Sequence, residues 1–596
     1  MSQGSRPRPA ARRRRRRVRA RRGTSLLRLR IGFILIAMVL SVFAVRLFQL
    51  QGVDAAAYVA KARAEGVVTV TLPATRGTIT DRNGVALADS VDGLMLVADP
   101  TLTTRHASQI ATIIAHRLHL DYFDLLQRLR RSGTHFQYLA RRIPATRATA
   151  VLTAIEKRGF TGVYTRRDPV RSYPAKDVAA NLVGFTNAMG QAGEGAELMF
   201  DRSLAGRDGR ATYEVGGGNR IPLGDNSTVP PHSGSDLRLT IDRDVQWYTQ
   251  RVLRDAVEHA NGLSGAAVVM DTHTGQLLAV ADYPTFDANN PTASPDSDLG
   301  TRALRDVYEP GSVMKVLTTA ALLDAGKVTP RTKIVVPPTL PSSDHVIHDD
   351  ITHGTLHLTL AGALAKSSNI GTALAARQFT PRQLYDYLHR FGLGQTTNLG
   401  VNGEAAGVLA DPSTWMQIRQ DNIAFGQGVS VNAVQMAAAV NTIANGGVYV
   451  APSIVKGRAR TNSGQVVGSD TTTEHRVVSR RAAAEETRMM ETVTMPGGTA
   501  PNTAISGYLL AGKTGTAQRI GPKCHCYDGS RTVSFVGFAP ADKPRFLVYA
   551  VVQRPRNGGF GSTVAGPVVD DVMKYVLQKY AVPPTGRSVP KLPLTW

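Results

Sequence analysis

Ile31 to Val45 (IGFILIAMVLSVFAV) runs for fifteen residues without a charge, and thirteen of the thirty residues before it are arginines. Fifteen residues rise about 22 Å as a helix, short of the roughly 30 Å hydrocarbon core of a bilayer. Leu47, Phe48 and Leu50 extend the run past Arg46. With Arg30 and Arg46 snorkelling toward the two interfaces, residues 31–50 can span as a transmembrane anchor. Positive flanks stay cytoplasmic, so residues 1–30 are expected inside and the body of the chain outside, a single-pass arrangement. A cleavable signal peptide is the alternative, supported by the charged start, the short apolar run and Ala55-Ala56-Ala57. Against cleavage, Arg46 and Gln49 stand where small residues would be expected. Both readings export the rest.

The same tail disposes of a nucleic-acid reading. The chain has a net charge of +24, and removing the thirteen arginines leaves 24 − 13 = +11 for everything after residue 30. A basic DNA-binding arm is hard to reconcile with an apolar run starting nine residues past Arg22. Two cysteines in 596 residues exclude a disulfide-built scaffold.

Beyond the anchor the chain divides by texture. Residues 55–230 mix short β-like runs such as Val67 to Leu72 with helical stretches such as Ala107 to Arg131, where Ile110, Ile113, Ile114 and Leu118 fall at helical spacing. The Gly/Pro/Ser/Asn-rich passage Gly216 to Ser235 reads as a connection. After it, Ala266–Asp271 and Gln276–Ala281 around Thr272-His273-Thr274-Gly275 predict a hairpin, and Ser534–Phe538 with Phe546–Val552 a second. Pro567 is expected to open a last helix that presents Val569, Val572, Met573, Val576, Leu577 and Tyr580 on one face. Strands at both ends with Ala/Leu-rich helices between them predict one α+β domain over residues 236–581, its sheet assembled from chain-distant pieces. Residues 582–596 read as an irregular, proline-rich tail.

Three short patterns inside that domain carry chemistry. Glu309-Pro310-Gly311-Ser312-Val313-Met314-Lys315 puts Ser312 at a helix start, where unpaired N–H groups favour developing negative charge. Lys315, three residues on, shares its face. A serine hydroxyl needs something to take its proton, and a desolvated lysine can be neutral enough to do so. Ser367-Ser368-Asn369 follows an apolar stretch and offers a hydroxyl relay and an amide; by itself it also reads as a helix cap. Lys513-Thr514-Gly515-Thr516 is expected on a sheet-edge strand, where glycine admits another backbone and a free N–H can polarise a carbonyl. Each pattern alone is weak: average usage yields about two S-x-x-K matches by chance in a chain this long.

In the order S-x-x-K, S-x-N, K-T-G, inside one domain, they resemble the penicilloyl-serine transferases, and more closely the class B penicillin-binding proteins of the division type, similar to actinobacterial members. Arg76-Gly77-Thr78-Ile79-Thr80-Asp81-Arg82-Asn83-Gly84, Gly195-Ala196-Glu197-Leu198-Met199-Phe200-Asp201 and Phe425-Gly426-Gln427-Gly428 also fit. The resemblance covers about residues 31–580. It implies the transpeptidase fold, a central antiparallel sheet with flanking helices and a helical subdomain, behind a pedestal of the dimerisation type over residues 55–230. It implies that Ser312 attacks the penultimate D-Ala carbonyl of a peptidoglycan stem peptide and is acylated by β-lactams. Lys315 would be the base, with Ser367 and Lys513 relaying the proton to the leaving amine. Asn369 would hold the substrate backbone, Thr514 and Thr516 its carboxylate beside Gly515, and the N–H groups of Ser312 and Thr516 would form the oxyanion hole. No cofactor or metal is implied. Partners would be stem peptides, β-lactams, the lipid bilayer, a polytopic peptidoglycan glycosyltransferase and other division proteins, with no nucleic acid.

A D,D-carboxypeptidase of the same chemistry and a division or sporulation scaffold with a secondary active site remain as alternatives. A lactamase is disfavoured, because no E-x-x-L-N-like segment lies between Ser367 and Lys513. Two other clusters were weighed. His345, His348, Asp349, Asp350, His353 and His357 resemble a metal set but read as an active-site-wall loop. Cys524-His525-Cys526 leaves a loop disulfide, free thiols and a metal site open.

Overall fold

The two hairpins expected near residues 266–281 and 534–552 are parts of one sheet. β1 (Ser264–Asp271) and β2 (Leu277–Tyr283) form the first, β3 (Ala511–Ile520) precedes the second, and β4 (Tyr527–Ala539) and β5 (Phe546–Gln553) form it. The order is β2-β1-β5-β4-β3 with every neighbour antiparallel, and β1 pairs with β5 from Ser264 opposite Gln553 to Asp271 opposite Phe546. β3 is therefore an edge strand. This is a computed structural model, and it describes residues 25–53, 67–187, 189–216, 219–220, 226–521, 524 and 526–596. The arginine tail up to Arg22 and Ala55-Ala56-Ala57 lie outside the described residues.

Around the sheet fold α1 (Arg243–His259), α2 (Met314–Asp324), the short α3 (Leu360–Ala365) and α4 (Asn369–Ala376), then α5 (Ala433–Ala444), α6 (Arg480–Glu491) and α7 (Gly561–Lys579). Side chains alternate across a strand. Along β1, Ala266, Val268 and Met270 enter one core while Ala267 and Val269 enter the other. On β5, Leu547, Tyr549 and Val551 alternate in the same way with Phe546, Val548, Ala550 and Val552. The first core is completed by α2 to α6 and the second by α1 and α7, so the sheet is covered on both faces. That is why its strands read as unbroken apolar runs. The fold is the expected α+β arrangement.

Four readings are corrected. Pro567 does not open α7, which begins six residues earlier at Gly561 and carries Pro567 in its interior. Burial of Gly561, Val564, Ala565 and Gly566 outweighs the proline signal there. The stretch from Ala107 to Arg131 is two helices, Ala107–Leu118 and Tyr122–Leu129. His119 ends the first in the left-handed conformation, and the Asp121 carboxylate caps the second by accepting from the Asp124 N–H. The passage from Gly216 contains strand rather than pure connection, since Ser227–Val229 pairs antiparallel with Arg210 to Thr212. The apolar run belongs to a longer helix, Ser25–Phe48, whose 24 residues rise about 36 Å and match a bilayer core without stretching. Among the described residues it is the one helix long and apolar enough to cross a membrane.

The tail also differs from expectation. Residues 593–596 lie along Leu356–Thr359: the Thr359 N–H donates to the Leu594 carbonyl (3.0 Å), the Thr359 hydroxyl to the Pro593 carbonyl (2.6 Å) and the Trp596 indole to the Leu358 carbonyl (3.0 Å). The Lys333 ammonium sits 4.6 Å from the Trp596 ring centroid. These residues add an edge to the antiparallel pair Lys333–Val336 and Leu356–Thr359.

Contacts gather the chain into two units, Met1–Thr71 with Arg210–Val229, and Leu72–Gly209 with Pro230–Trp596. Within the second, Arg76 and Arg171 converge on Glu197. Arg76 donates to the Glu197 carboxylate (2.5 Å) and to Asp201 (2.6 Å), Arg171 donates to the other Glu197 oxygen (2.6 Å), and the Glu197 side chain is fully buried. Removing one member of a buried pair leaves a charge without its partner, at about 3–5 kcal/mol. Glu197→Ala is therefore expected to lower the unfolding free energy by about that amount in denaturant titration; a loss under about 1 kcal/mol would show the arginines find other partners. Asp81-Arg82-Asn83-Gly84 is a packed turn, with the buried Asp81 carboxylate accepting from the N–H groups of Asn83 and Val85 (2.8 Å each).

Candidate active site

Pro310 and a left-handed Gly311 turn the chain into a single 3₁₀ turn, Gly311–Val313, that runs straight into α2. Ser312 sits in that turn. A Cβ on Gly311 would lie 2.6 Å from the Thr516 carbonyl oxygen, so only glycine lets the serine turn press against β3. Gly515 makes the reciprocal approach, since a Cβ there would lie 2.2 Å from the Ser534 hydroxyl and 2.9 Å from Val313. The two glycines set the distance between the first and third motifs.

Lys315, one turn further on, and Lys513 on β3 are both fully buried, and the half-buried Ser367 lies between them. The Lys315 ammonium donates to the Asn369 side-chain oxygen (2.7 Å) and the Ser367 carbonyl (2.5 Å), and stands 3.3 Å from the Ser367 hydroxyl. Lys513 donates to the same hydroxyl (2.8 Å) and to the Thr514 carbonyl (3.0 Å). Burial lowers Lys315 from its usual 10.5 to about 8, with Asp349 and Asp350 pulling upward. Burial pushes Lys513 well below its ordinary value, and the neighbouring Lys315 charge adds to this. Two ammonium groups around one hydroxyl in a dry site repel, so the lysines titrate as a coupled pair.

Ser367 holds this place in a left-handed conformation, φ 59°, which costs a serine about 1–2 kcal/mol. The capping reading of the second motif is also true, one residue along: the Ser368 hydroxyl accepts from the Gly371 N–H (2.8 Å) at the start of α4. Asn369 is engaged at both ends, by Lys315 and by its own amide donating to the His348 carbonyl (3.0 Å). One amide hydrogen remains for a substrate carbonyl.

A cavity of about 490 Å³ opens over these groups. Ser312, Ser367, Thr514 and Thr516 line it, while Lys315, Asn369, Lys513 and Gly515 stand behind its wall. The residues from Asp349 to Leu358 form one side, as the wall-loop reading expects. Gly497 to Thr499 and Phe560 to Ser562 form other parts, and sequence reasoning missed both. Thr499 stands 3.2 Å from the Thr514 hydroxyl. The Gly-Gly pair at 497–498, fourteen residues before β3, was the available signal for the first segment. The second was hidden by placing the start of α7 at Pro567. Three residues before Ser312, Glu309 accepts from the Gly428 N–H (2.8 Å) and the Tyr527 hydroxyl (3.1 Å). Cys524 and Cys526, in the turn between β3 and β4, are joined as a disulfide.

The arrangement can acylate a serine. It holds a hydroxyl at a helix start, two buried amines of lowered basicity linked by a second hydroxyl, and an edge strand with hydroxyl side chains.

Known proteins share this architecture. Residues 265–574 match the profile of the penicillin binding protein transpeptidase domain, and residues 71–239 that of the penicillin-binding protein dimerisation domain. Penicillin-binding protein PbpB of Mycolicibacterium smegmatis is 34% identical over 95% of this chain and 92% of that protein. Peptidoglycan D,D-transpeptidase FtsI of Escherichia coli is 33% identical over 85% of this chain and 84% of its own. The crystal structure of penicillin binding protein 3 from Mycobacterium tuberculosis complexed with ampicillin superposes with a TM-score of 0.68 at 29% identity, covering 88% of this chain and all of that one.

Proposed function

This chain belongs to the penicillin-binding protein transpeptidase family, and from that premise we propose that it is a membrane-anchored D,D-transpeptidase that cross-links peptidoglycan stem peptides in septal wall synthesis and is acylated by β-lactams. The observation that carries this reading is the chain Lys315–Ser367–Lys513, whose Ser367 lines the same cavity as Ser312. Residues 236–581 do the chemistry on a pedestal formed by residues 55–230. The helix Ser25–Phe48 supports anchoring in the lipid bilayer, with the arginines on the cytoplasmic side and the catalytic domain outside.

The Ser312 oxygen attacks the carbonyl of the penultimate D-Ala, and its proton passes to the neutral amine of Lys315. The oxyanion is received by the N–H groups of Ser312 and Thr516. Thr514 and Thr516 hold the terminal carboxylate, and Asn369 the stem backbone. The C–N bond then breaks, the proton moves by Ser367 and Lys513 to the departing D-Ala amine, and Ser312 is left as an ester. An amine of a second stem peptide attacks that ester, forms the cross-link and returns the serine hydroxyl. With a pKa of about 8, Lys315 is neutral in about a tenth of molecules at pH 7, and burial gives the base that population. A polytopic glycosyltransferase and other division proteins complete the proposed assembly.

The test is intact-mass analysis of the detergent-solubilised chain after penicillin exposure. A single stable adduct of one drug mass is expected. No adduct with the drug intact would point to a scaffold. No adduct with the drug consumed would mean a hydrolase.

A further inference from the structure

Asp349 lies in the cavity wall between the strands His345–Ile347 and Leu356–Thr359, nineteen residues before the serine it touches. One carboxylate oxygen accepts from the Ser368 hydroxyl (2.6 Å) and from the His353 Nε2 (3.0 Å), and the other accepts from the Ile370 N–H (2.9 Å). His353 donates through Nδ1 to the Gly354 carbonyl (2.5 Å). Both imidazole nitrogens therefore face acceptors, which is the geometry of an imidazolium, and the Gly354 carbonyl followed by Asp349 holds His353 above its ordinary pKa. Neither side chain is open to solvent: Asp349 is 8% and His353 13% exposed.

Ser367 immediately precedes the residues that Asp349 holds, and its left-handed backbone persists only while its surroundings over-determine it. The contacts on its other side come from Lys315 and Lys513. Those are the groups that gain and lose protons during acyl transfer, so their hold on Ser367 changes at each step. The Asp349 hydrogen bonds reach neither lysine, although its charge also raises Lys315. We propose that Asp349, oriented by His353, is a positioning residue for the reaction: it fixes the backbone from Ser368 to Ile370 and so keeps the Ser367 hydroxyl within reach of Lys513 while the lysines exchange protons. This rests on the acyl-transfer reading above.

The experiment measures second-order acylation by a fluorescent penicillin for the full chain, Asp349→Ala, Asp349→Asn, Ser367→Ala and the double variant Asp349→Ala/Ser367→Ala. Misplacing a relay group by about 1 Å costs about 10²-fold, and that loss is expected for Asp349→Ala. Asp349→Asn keeps an acceptor for the Ile370 N–H and should lose about tenfold or less; it also carries the test if the alanine variant does not fold. In the Ser367→Ala background, Asp349→Ala should cost less than about threefold, because its effect runs through the missing hydroxyl. A merely structural role would instead give additive losses, and that result overturns the proposal. So does an unchanged rate in Asp349→Ala. Hydrogen exchange gives a readout free of activity: protection of the Ser368 and Ile370 amides should fall at least about tenfold in Asp349→Ala and by less in Asp349→Asn, which keeps the Ile370 acceptor. If the wild-type chain forms no adduct, the functional reading fails. The exchange measurement then decides the clamp alone, with unchanged protection overturning it.

Discussion

Ser312→Ala is expected to remove the penicillin adduct entirely, lowering acylation by about 10⁶-fold, to the level of adventitious modification. The expectation is this large because nothing else in the cavity is placed to replace the nucleophile. The Ser367 hydroxyl is committed to Lys513 at 2.8 Å, and the Ser368 hydroxyl to Asp349 at 2.6 Å and to the Gly371 amide at 2.8 Å. Ser312 combines a helix start and the cavity wall with the buried Lys315 three residues along the same helix. The substitution removes one oxygen from a wall and leaves the packing intact, so the thermal midpoint should stay within about 2 °C of the parent. Intact-mass analysis at saturating drug checks both halves. An adduct retained at more than about 1% of the parent rate would place the nucleophile elsewhere.

Lys315→Ala is expected to cost about 10²–10⁴-fold in acylation, the usual range for loss of a general base. Its pH signature is more specific. Lys315 must be neutral to accept the serine proton, and burial brings it to about 8. Acylation by the parent should therefore rise about tenfold per pH unit below 8 and level off above it. The direction follows from the charge: lowering pH protonates the amine and removes the base. In Lys315→Ala this limb should vanish, leaving a lower, flatter profile between pH 6 and 9. A parent profile flat through pH 8 would shift the role to Lys513, which burial and the Lys315 charge also push well below its ordinary value.

The residues of the proposed site were legible as motifs because acyl transfer constrains side-chain identity over short stretches. Ser312 and Lys315 must share a helix face, and Lys513 must sit on a strand with glycine behind it. The sheet was legible from its hairpins, since each pairs local residues. What stayed hidden depends on contacts between distant segments. Nothing near Pro567 announces that Gly561 to Gly566 bury against the sheet. Asp349 looked like one member of a histidine and aspartate cluster, and its partners Ser368 and Ile370 appear only once the wall folds back on α4. Arg76, Arg171 and Glu197 belonged to fitting stretches, yet only the structure makes them one buried charge network.

The strand pairing of residues 593–596 bears on timing. Leu358 lines the cavity, and its carbonyl is held by Trp596, while the Thr359 that caps α3 by accepting from the Gly362 N–H is held by Leu594 and Pro593. The wall around Ser367 is thus finished by residues synthesised after every catalytic group. A chain folded only as far as Ser367 would carry Ser312, Lys315 and Ser367 with that edge open. Closure of the cavity wall thus depends on residues 593–596, a segment far along the chain from Ser367, so the order of synthesis couples the shape of the cavity to residues that belong to none of the three motifs.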